Sequence, residues 1–280
     1  EIHPIILLNY LEFIKMKTKF TLLGCGNSMG TPRIDGFWGN CNKKIKKNIR
    51  TRCSALIKRG SNFVLIDTSP DIRKQFIDNK INKVSSVIFT HEHSDQINGL
   101  FELRPFTFTN NKKFNFFKNK KKINIYGSLK TMTNIKKRFD FCFKKIGVYP
   151  PIVKANIINR KFSLGKGIEK INFKCFPVKH GEVRSTAYIF NKTAYLSDCN
   201  DISIIHKKEL KNLNYLIIDC LKIDMNFAHF SLDEVIFIHN YLKPKKTILT
   251  NLHYDLDYNF LLKSLPKDII PGYDGLKITL

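Results

Sequence analysis

The chain has 280 residues, with 48 Lys and Arg against 23 Asp and Glu, a net charge of +25. At 43% hydrophobic and 25% charged, its composition excludes a largely disordered chain, and no apolar run reaches the ~20 residues that span a bilayer. The seven cysteines are scattered singly, as in Phe141-Cys142-Phe143, which predicts free thiols in a reducing cytoplasm rather than a disulfide framework.

Residues 1–15 contain Ile5-Ile6-Leu7-Leu8 but neither a basic leader region nor a small-residue cleavage site, so export is not expected. Met16-Lys17-Thr18-Lys19 resembles a natural start, leaving 1–15 as an extension outside the fold and 16–280 as a single domain. Strands are predicted over Phe20–Leu23, Ala55–Ile57, Phe63–Ile66, Val84–Phe89, Ile123–Tyr126, Ile171–Val178, Ala187–Phe190, Ala194–Leu196, Tyr215–Ile218 and Thr247–Leu249. Ser69-Pro70-Asp71 predicts a helix towards Asn79, with Ser69 as its cap and Pro70 in its first turn. Leu129–Phe143 and Asp201–Leu213 are further helix candidates. Ser231-Leu232-Asp233-Glu234 is a capping box whose helix runs to about Leu242, before Pro244. Strands and helices alternate without repeats or Pro/Ser-rich linkers, so one mixed α/β domain is expected. The lysines are spread over nearly every segment beside abundant Asn, Ile and Phe, the pattern of an A+T-rich coding sequence. Such diffuse charge steers anions without defining a site. Two denser runs, Lys43–Arg52 and Lys112–Lys122, stand out; the second reads as a solvated loop.

The chemistry follows the strands. Phe63–Ile66 ends in Asp67, and Val84–Phe89 runs into Thr90-His91-Glu92-His93-Ser94-Asp95-Gln96. Ile171–Val178 leads to His180, Ala194–Leu196 to Asp198, and Thr247–Leu249 to Thr250-Asn251-Leu252-His253. Strand ends on one sheet edge converge, so these groups can meet in one cleft. In extended backbone, residues two apart point the same way, so His91 and His93 can reach one ion, and a turn can swing Asp95 towards a second. Imidazole and carboxylate suit zinc, which keeps an open position when catalytic. Gly24, Gly26 and Gly30 miss the dinucleotide spacing and run into Thr31-Pro32 rather than a helix. They let a loop pass close to the cleft. Cys41 and Cys53 lack the clustering of a structural zinc site.

The series Thr90-His91-Glu92-His93-Ser94-Asp95, Asp67, His180, Asp198 and His253 resembles the metallo-β-lactamase superfamily over essentially all of 16–280. Leu23-Gly24-Cys25-Gly26-Asn27-Ser28-Met29-Gly30-Thr31-Pro32-Arg33, Ile66-Asp67-Thr68-Ser69-Pro70-Asp71 and Gly272-Tyr273-Asp274-Gly275 resemble the branch containing phosphoribosyl 1,2-cyclic phosphate phosphodiesterase, a relative of ribonuclease Z. The resemblance implies a four-layer αββα sandwich with two divalent ions at the sheet edges. His91, His93 and His180 would hold one ion. Asp95 and His253 would hold the other, with Asp198 bridging and Asp67 orienting a ligand through a hydrogen bond. Zinc is the expected metal. Where the family commonly has histidine after Asp95, this chain has Gln96, a weaker ligand, so manganese is the alternative at the second site.

The implied activity is hydrolysis of a phosphodiester by hydroxide formed on the metal, with Asp95, Asp198 and His229 in catalysis. His229 precedes the capping box by two residues and so stands beside a helix N-terminus, where an anion is favoured. It is a candidate for gripping phosphate or protonating the leaving oxygen. Arg50 and Arg52 are candidates for a second substrate phosphate. His3, His206 and His239 carry no such signal. The expected partner is a small anionic phosphodiester, with RNA as an alternative and a homodimer compatible. The rival readings are an RNA-processing nuclease of the ribonuclease Z kind, a thioester or lactone hydrolase on the same scaffold, and a non-enzymatic basic RNA-binding protein.

Overall fold

The computed structural model describes residues 16–107 and 121–280. The expected extension at 1–15, with His3, and residues 112–120 of the second lysine run lie outside the described residues. Fourteen strands form two seven-stranded sheets. The first contains β1 (Thr18–Gly24), β2 (Ser54–Arg59), β3 (Asn62–Ile66), β4 (Ser86–Ile88), β5 (Ile123–Gly127), β6 (Val153–Ile157) and β14 (Leu276–Thr279), in the order β14-β1-β2-β3-β4-β5-β6. The second contains β7 (Lys161–Leu164), β8 (Ile171–His180), β9 (Val183–Phe190), β10 (Thr193–Leu196), β11 (Tyr215–Asp219), β12 (Lys246–Thr250) and β13 (Ile269–Pro271), in the order β13-β12-β11-β10-β9-β8-β7.

Alternation along the strands builds the layers. Phe20, Leu22, Ala55, Ile57, Val64, Ile66 and Ile88 join Tyr188, Phe190, Leu196 and Ile217 of the second sheet in one buried core. The residues between them, Leu56, Leu65, Val87 and Phe89, face the opposite way. They bury the apolar stripes of α1 (Ile72–Asp78), through Ile72 and Phe76, and of α3 (Leu129–Arg138), through Met132 and Ile135. Val235, Ile238 and Leu242 of α5 (Leu232–Leu242) pack on the second sheet. The result is the α/β/β/α sandwich expected from the resemblance. All seven cysteines are buried and free.

The ten predicted strands are all present, and the capping box of α5 forms as expected. Ser231 accepts from the Glu234 amide while the Glu234 carboxylate accepts from the Ser231 amide. The other helices are shorter than predicted. α1 begins at Ile72 with Asp71, not Ser69, as its cap residue, because the Ser69 hydroxyl is already accepting from the Asp71 amide one turn earlier. The 129–143 stretch breaks at Phe139, where φ is −124°, and resumes as a single tight turn. Of 201–213, only α4 (Ile204–Glu209) is helical, capped by Ser203. No described helix is long and apolar enough to cross a membrane.

In each sheet a run of four parallel strands, β3-β4-β5-β6 and β10-β11-β12-β13, carries its C-terminal ends along one edge. Ligands in open parallel sheets bind beyond those ends. Asp67, the 90–96 segment, Asp198 and Asn251 follow them, and Asp219 is the last residue of β11.

Candidate metal centre

On one side of the cleft stand three histidines. Thr90, just beyond β4, donates from its amide to Asp67 Oδ1 and from its hydroxyl to Asp67 Oδ2, each at 2.8 Å. The same hydroxyl oxygen lies 3.0 Å from His91 Nδ1. Having given its proton to the carboxylate, Thr90 accepts from His91 Nδ1–H, so His91 Nε2 carries the lone pair. That nitrogen is buried and has no hydrogen-bond partner. His180, at the end of β8, gives Nδ1–H to the Ala228 carbonyl at 2.8 Å, which leaves its Nε2 3.2 Å from His93 Nδ1. The three rings meet edge to face, with centroids 4.5, 5.1 and 5.0 Å apart. Burial lowers His93 and brings His91 down to about 3. His91 and His93 are thus held as neutral imidazoles beside the His180 ring, which is what a cation requires. Burial also pushes Asp67 well above the carboxylate range against the two Thr90 bonds, so a nearby cation would help to keep it ionised. Asp67 turns through the left-handed region at φ +60°, as does Asn251 at +61°, a conformation that concentrates at functional sites in non-glycine residues.

Two sets of ligand atoms lie within 4.8 Å of one another: His91, His93 and His180, and His180, Asp198 and His229. The His and Asp groups gathered here are able to hold a metal ion, and the unpartnered His91 nitrogen is the clearest sign of the fit.

The neighbouring corner differs. Asp95 and Gln96 lie on α2 (Ser94–Ile97), and Gln96 is fully buried. Its Nε2 donates to Asp95 Oδ2 at 3.1 Å and to Asp198 Oδ2 at 3.2 Å, while Oε1 has no partner. Burial and the adjacent Asp198 charge raise Asp95 to about 6. Asp198 feels the same burial, but His91, His229 and His180 around it hold it low. His253 lines the cleft with Nδ1 2.7 Å from Asp255 and its ring against Tyr254. Among the described residues, neither Asp95 nor His253 joins a set of three ligand atoms within 4.8 Å.

A third group pairs a histidine with a buried carboxylate. His229 Nδ1 is 2.7 Å from Asp219 Oδ2, and Asn251 Nδ2 donates to Asp219 Oδ1 at 3.1 Å and to Asp198 Oδ1 at 3.2 Å. Burial raises Asp219 to about 6. His229 is lowered by burial but lifted further by Asp219, with Asp198 and Asp95 adding, to about 9. Between those values the pair is imidazolium and carboxylate, and the proton not committed to Asp219 sits on His229 Nε2.

The cleft is a cavity of about 610 Å³ lined by Asn27, His93, Asp95, Asp198, His229 and His253, among others. The Gly24–Gly30 loop borders it through Asn27, Ser28 and Met29. A Cβ on Gly24 would stand 2.2 Å from the Arg52 carbonyl oxygen, so glycine is required by close approach.

The arginine expectations need correction. Arg50 is 1% exposed, and its guanidinium donates to the carbonyls of His253 and Leu256 at 3.0 and 2.6 Å and to Asn48 Oδ1 at 3.3 Å. It braces the loop behind His253 and does not line the cavity. Arg52 is clamped by Asp71 through two 2.7 Å bonds and does not line the cavity. Three participants escape the sequence reading: Thr90, Asp219 and Asn251. Asp219 was legible in principle, since Tyr215–Ile218 ends in a carboxylate as the other strands do.

Residues 62–254 match the family described as the β-lactamase superfamily domain. A curated relative, an octanoyltransferase of Porphyromonas gingivalis (strain ATCC BAA-308 / W83), is 26% identical over 259 residues, covering 91% of this chain and 50% of that protein. The chain therefore spans about half the length of that relative. Among solved structures, a diphosphatase from the PhnP family superposes with a TM-score of 0.83 at 29% identity, covering 95% of this chain and 98% of the other. Zinc-bound PqqB from Methylobacterium extorquens superposes with a TM-score of 0.71 at 14% identity, covering 94% and 100%; at that identity the likeness is one of fold.

Proposed function

Since the chain belongs to the β-lactamase superfamily, we propose that it is a metal-dependent phosphodiesterase acting on a small cyclic or nucleotide-like phosphodiester, with His91, His93, His180 and Asp198 holding zinc. The observation that supports this reading is the buried, unpartnered Nε2 of His91, clustered with ligand nitrogens of His93 and His180 within 4.8 Å. A zinc ion held there would lower the pKa of water towards ~7 and neutralise phosphate charge.

The chain's own residues do the rest. Asp67, through Thr90, fixes the tautomer and orientation of His91. Ligand atoms of His180, Asp198 and His229 lie within 4.8 Å of one another, so an ion held by Asp198 would have the proton donor beside it. His229, held by Asp219, offers Nε2–H to the oxygen on which negative charge grows as the P–O bond breaks. A proton delivered there turns a poor alkoxide leaving group into an alcohol. Asn251 ties Asp219 to Asp198, so the orientation of the donor is linked to that of the metal ligand. The family pattern also implies a second ion on Asp95, Asp198 and His253, but in this chain that corner contains Gln96.

The likeness to a PhnP-family diphosphatase favours a second substrate class, the phosphoanhydride, which needs the same metal but less help from His229. The test is a turnover screen of metal-reloaded protein on bis-(p-nitrophenyl) phosphate, cyclic ribose phosphodiesters, a dinucleoside diphosphate, short RNA and a thioester. The expected result is phosphodiester turnover that chelation abolishes and zinc restores. Turnover of the thioester alone would overturn the reading. So would RNA binding without any metal-dependent hydrolysis.

A further inference from the structure

The corner beside the histidine cluster contains two buried carboxylates that belong to one cleft but not to one ligand set. Asp95 and Asp198 both accept from the same atom, Gln96 Nε2, at 3.1 and 3.2 Å. A primary amide has two N–H groups, and here each finds one carboxylate, so the amide nitrogen occupies the position bridging them. A zinc ion shared by the same two oxygens would lie about 2 Å from each, and on the Gln96 side of them the –NH₂ group already stands 3.1 and 3.2 Å away. The polarity is also wrong for a cation, because hydrogens rather than lone pairs point between the carboxylates.

Reversing the amide would place Oε1 against two carboxylate oxygens and leave the –NH₂ in the pocket where Oε1 now has no partner. The observed orientation instead offsets the repulsion between two buried acids. The remaining expected ligand does not complete a site. His253 is held at Nδ1 by Asp255 and keeps Nε2 for a ligand, but it stands outside both converging ligand sets among the described residues.

We propose that this centre takes one divalent ion, on His91, His93, His180 and Asp198, and that the Gln96 amide fills the place of a second ion by bridging Asp95 to Asp198. The inference rests on the metal-centre reading above but not on the reaction assigned to it. It explains how two acids stay paired in a dry corner without a second cation. It also makes Gln96 a positioning residue, holding Asp198 in the orientation from which it serves the ion beside His180.

The test is metal stoichiometry, which needs no substrate. Full-length protein is stripped with chelator, titrated with zinc by calorimetry, and its retained metal is measured by elemental analysis after dialysis. Wild type is expected to retain one zinc per chain. Gln96→His, which replaces the bridging amide by a ligand, is expected to retain two, with the second binding at least about tenfold tighter than any second event in wild type. Gln96→Met removes the bridge without adding a ligand and is expected to retain one or fewer. Two tightly held ions in wild type would overturn the proposal. So would a folded Gln96→His variant that still held only one. If that variant failed to fold, as judged by circular dichroism, the wild-type count alone would decide. One bound ion without phosphodiester turnover would sink the proposed reaction and leave this inference standing.

Discussion

The two corners of the cleft are built from similar side chains on opposite principles. At His91 and His180 the Nδ1 atoms are tied down by Thr90 and the Ala228 carbonyl, which leaves both Nε2 atoms as lone pairs, that of His91 with no partner at all. Around Asp95 and Asp198, the inward-facing oxygens are satisfied by amides, from Gln96 on one side and Asn251 on the other. The first arrangement wants a cation, and the second has already supplied its neutral substitute. A ligand-rich cleft is therefore not equivalent to a count of ions. What matters is which lone pairs the surrounding protein leaves unspent.

The comparison can be broken most sharply at the histidine corner. His91→Ala and Asp198→Ala should each lower phosphodiester turnover by about 10³-fold or more, because each removes part of the metal's charge stabilisation. Steady-state kinetics on zinc-loaded variants that retain the wild-type circular dichroism spectrum would check this. His229→Ala should cost about 10²-fold on a substrate with an alkoxide leaving group and less than about tenfold on bis-(p-nitrophenyl) phosphate, whose leaving group needs no proton. Equal losses on both substrates would mean that His229 binds phosphate rather than donating a proton. Thr90→Val keeps the shape but removes the link between Asp67 and His91. It should weaken zinc binding by about 10- to 100-fold while leaving the Asp95 corner intact, as read by competitive titration with a chelating dye. The smallest effect is expected at Ser231→Ala, which opens the capping box of α5. Denaturant unfolding should show about 1 kcal/mol of lost stability, with metal content unchanged.

The ten strands with strong apolar runs were legible because they lie within the sheets and bury at least one apolar face. The four that were not legible, Val153–Ile157, Lys161–Leu164, Ile269–Pro271 and Leu276–Thr279, are the four sheet edges. Their half-exposed faces carry Lys and Asn, and one ends in Pro271, so no apolar run marks them. Asp67, His91, His93, His180 and Asp198 could be picked out because each follows a buried strand, and the parallel strand ends do gather. Arg50 was misjudged because its basic neighbours suggested a surface run. In the fold its guanidinium satisfies buried carbonyls, a role that depends on a loop 200 residues away and leaves no local trace. The bridging by Gln96 was likewise invisible, since an amide in a ligand's position reads as a weak ligand until its two hydrogens are seen to have partners.

The most direct test of the centre is the zinc-edge X-ray absorption spectrum of the reloaded protein. Three imidazole nitrogens and oxygen donors at about 2.0–2.1 Å, falling to two imidazoles in His91→Ala, is the predicted result. A spectrum with sulfur ligands, or one unchanged by that substitution, would contradict the assignment of the ion to the His91, His93 and His180 corner.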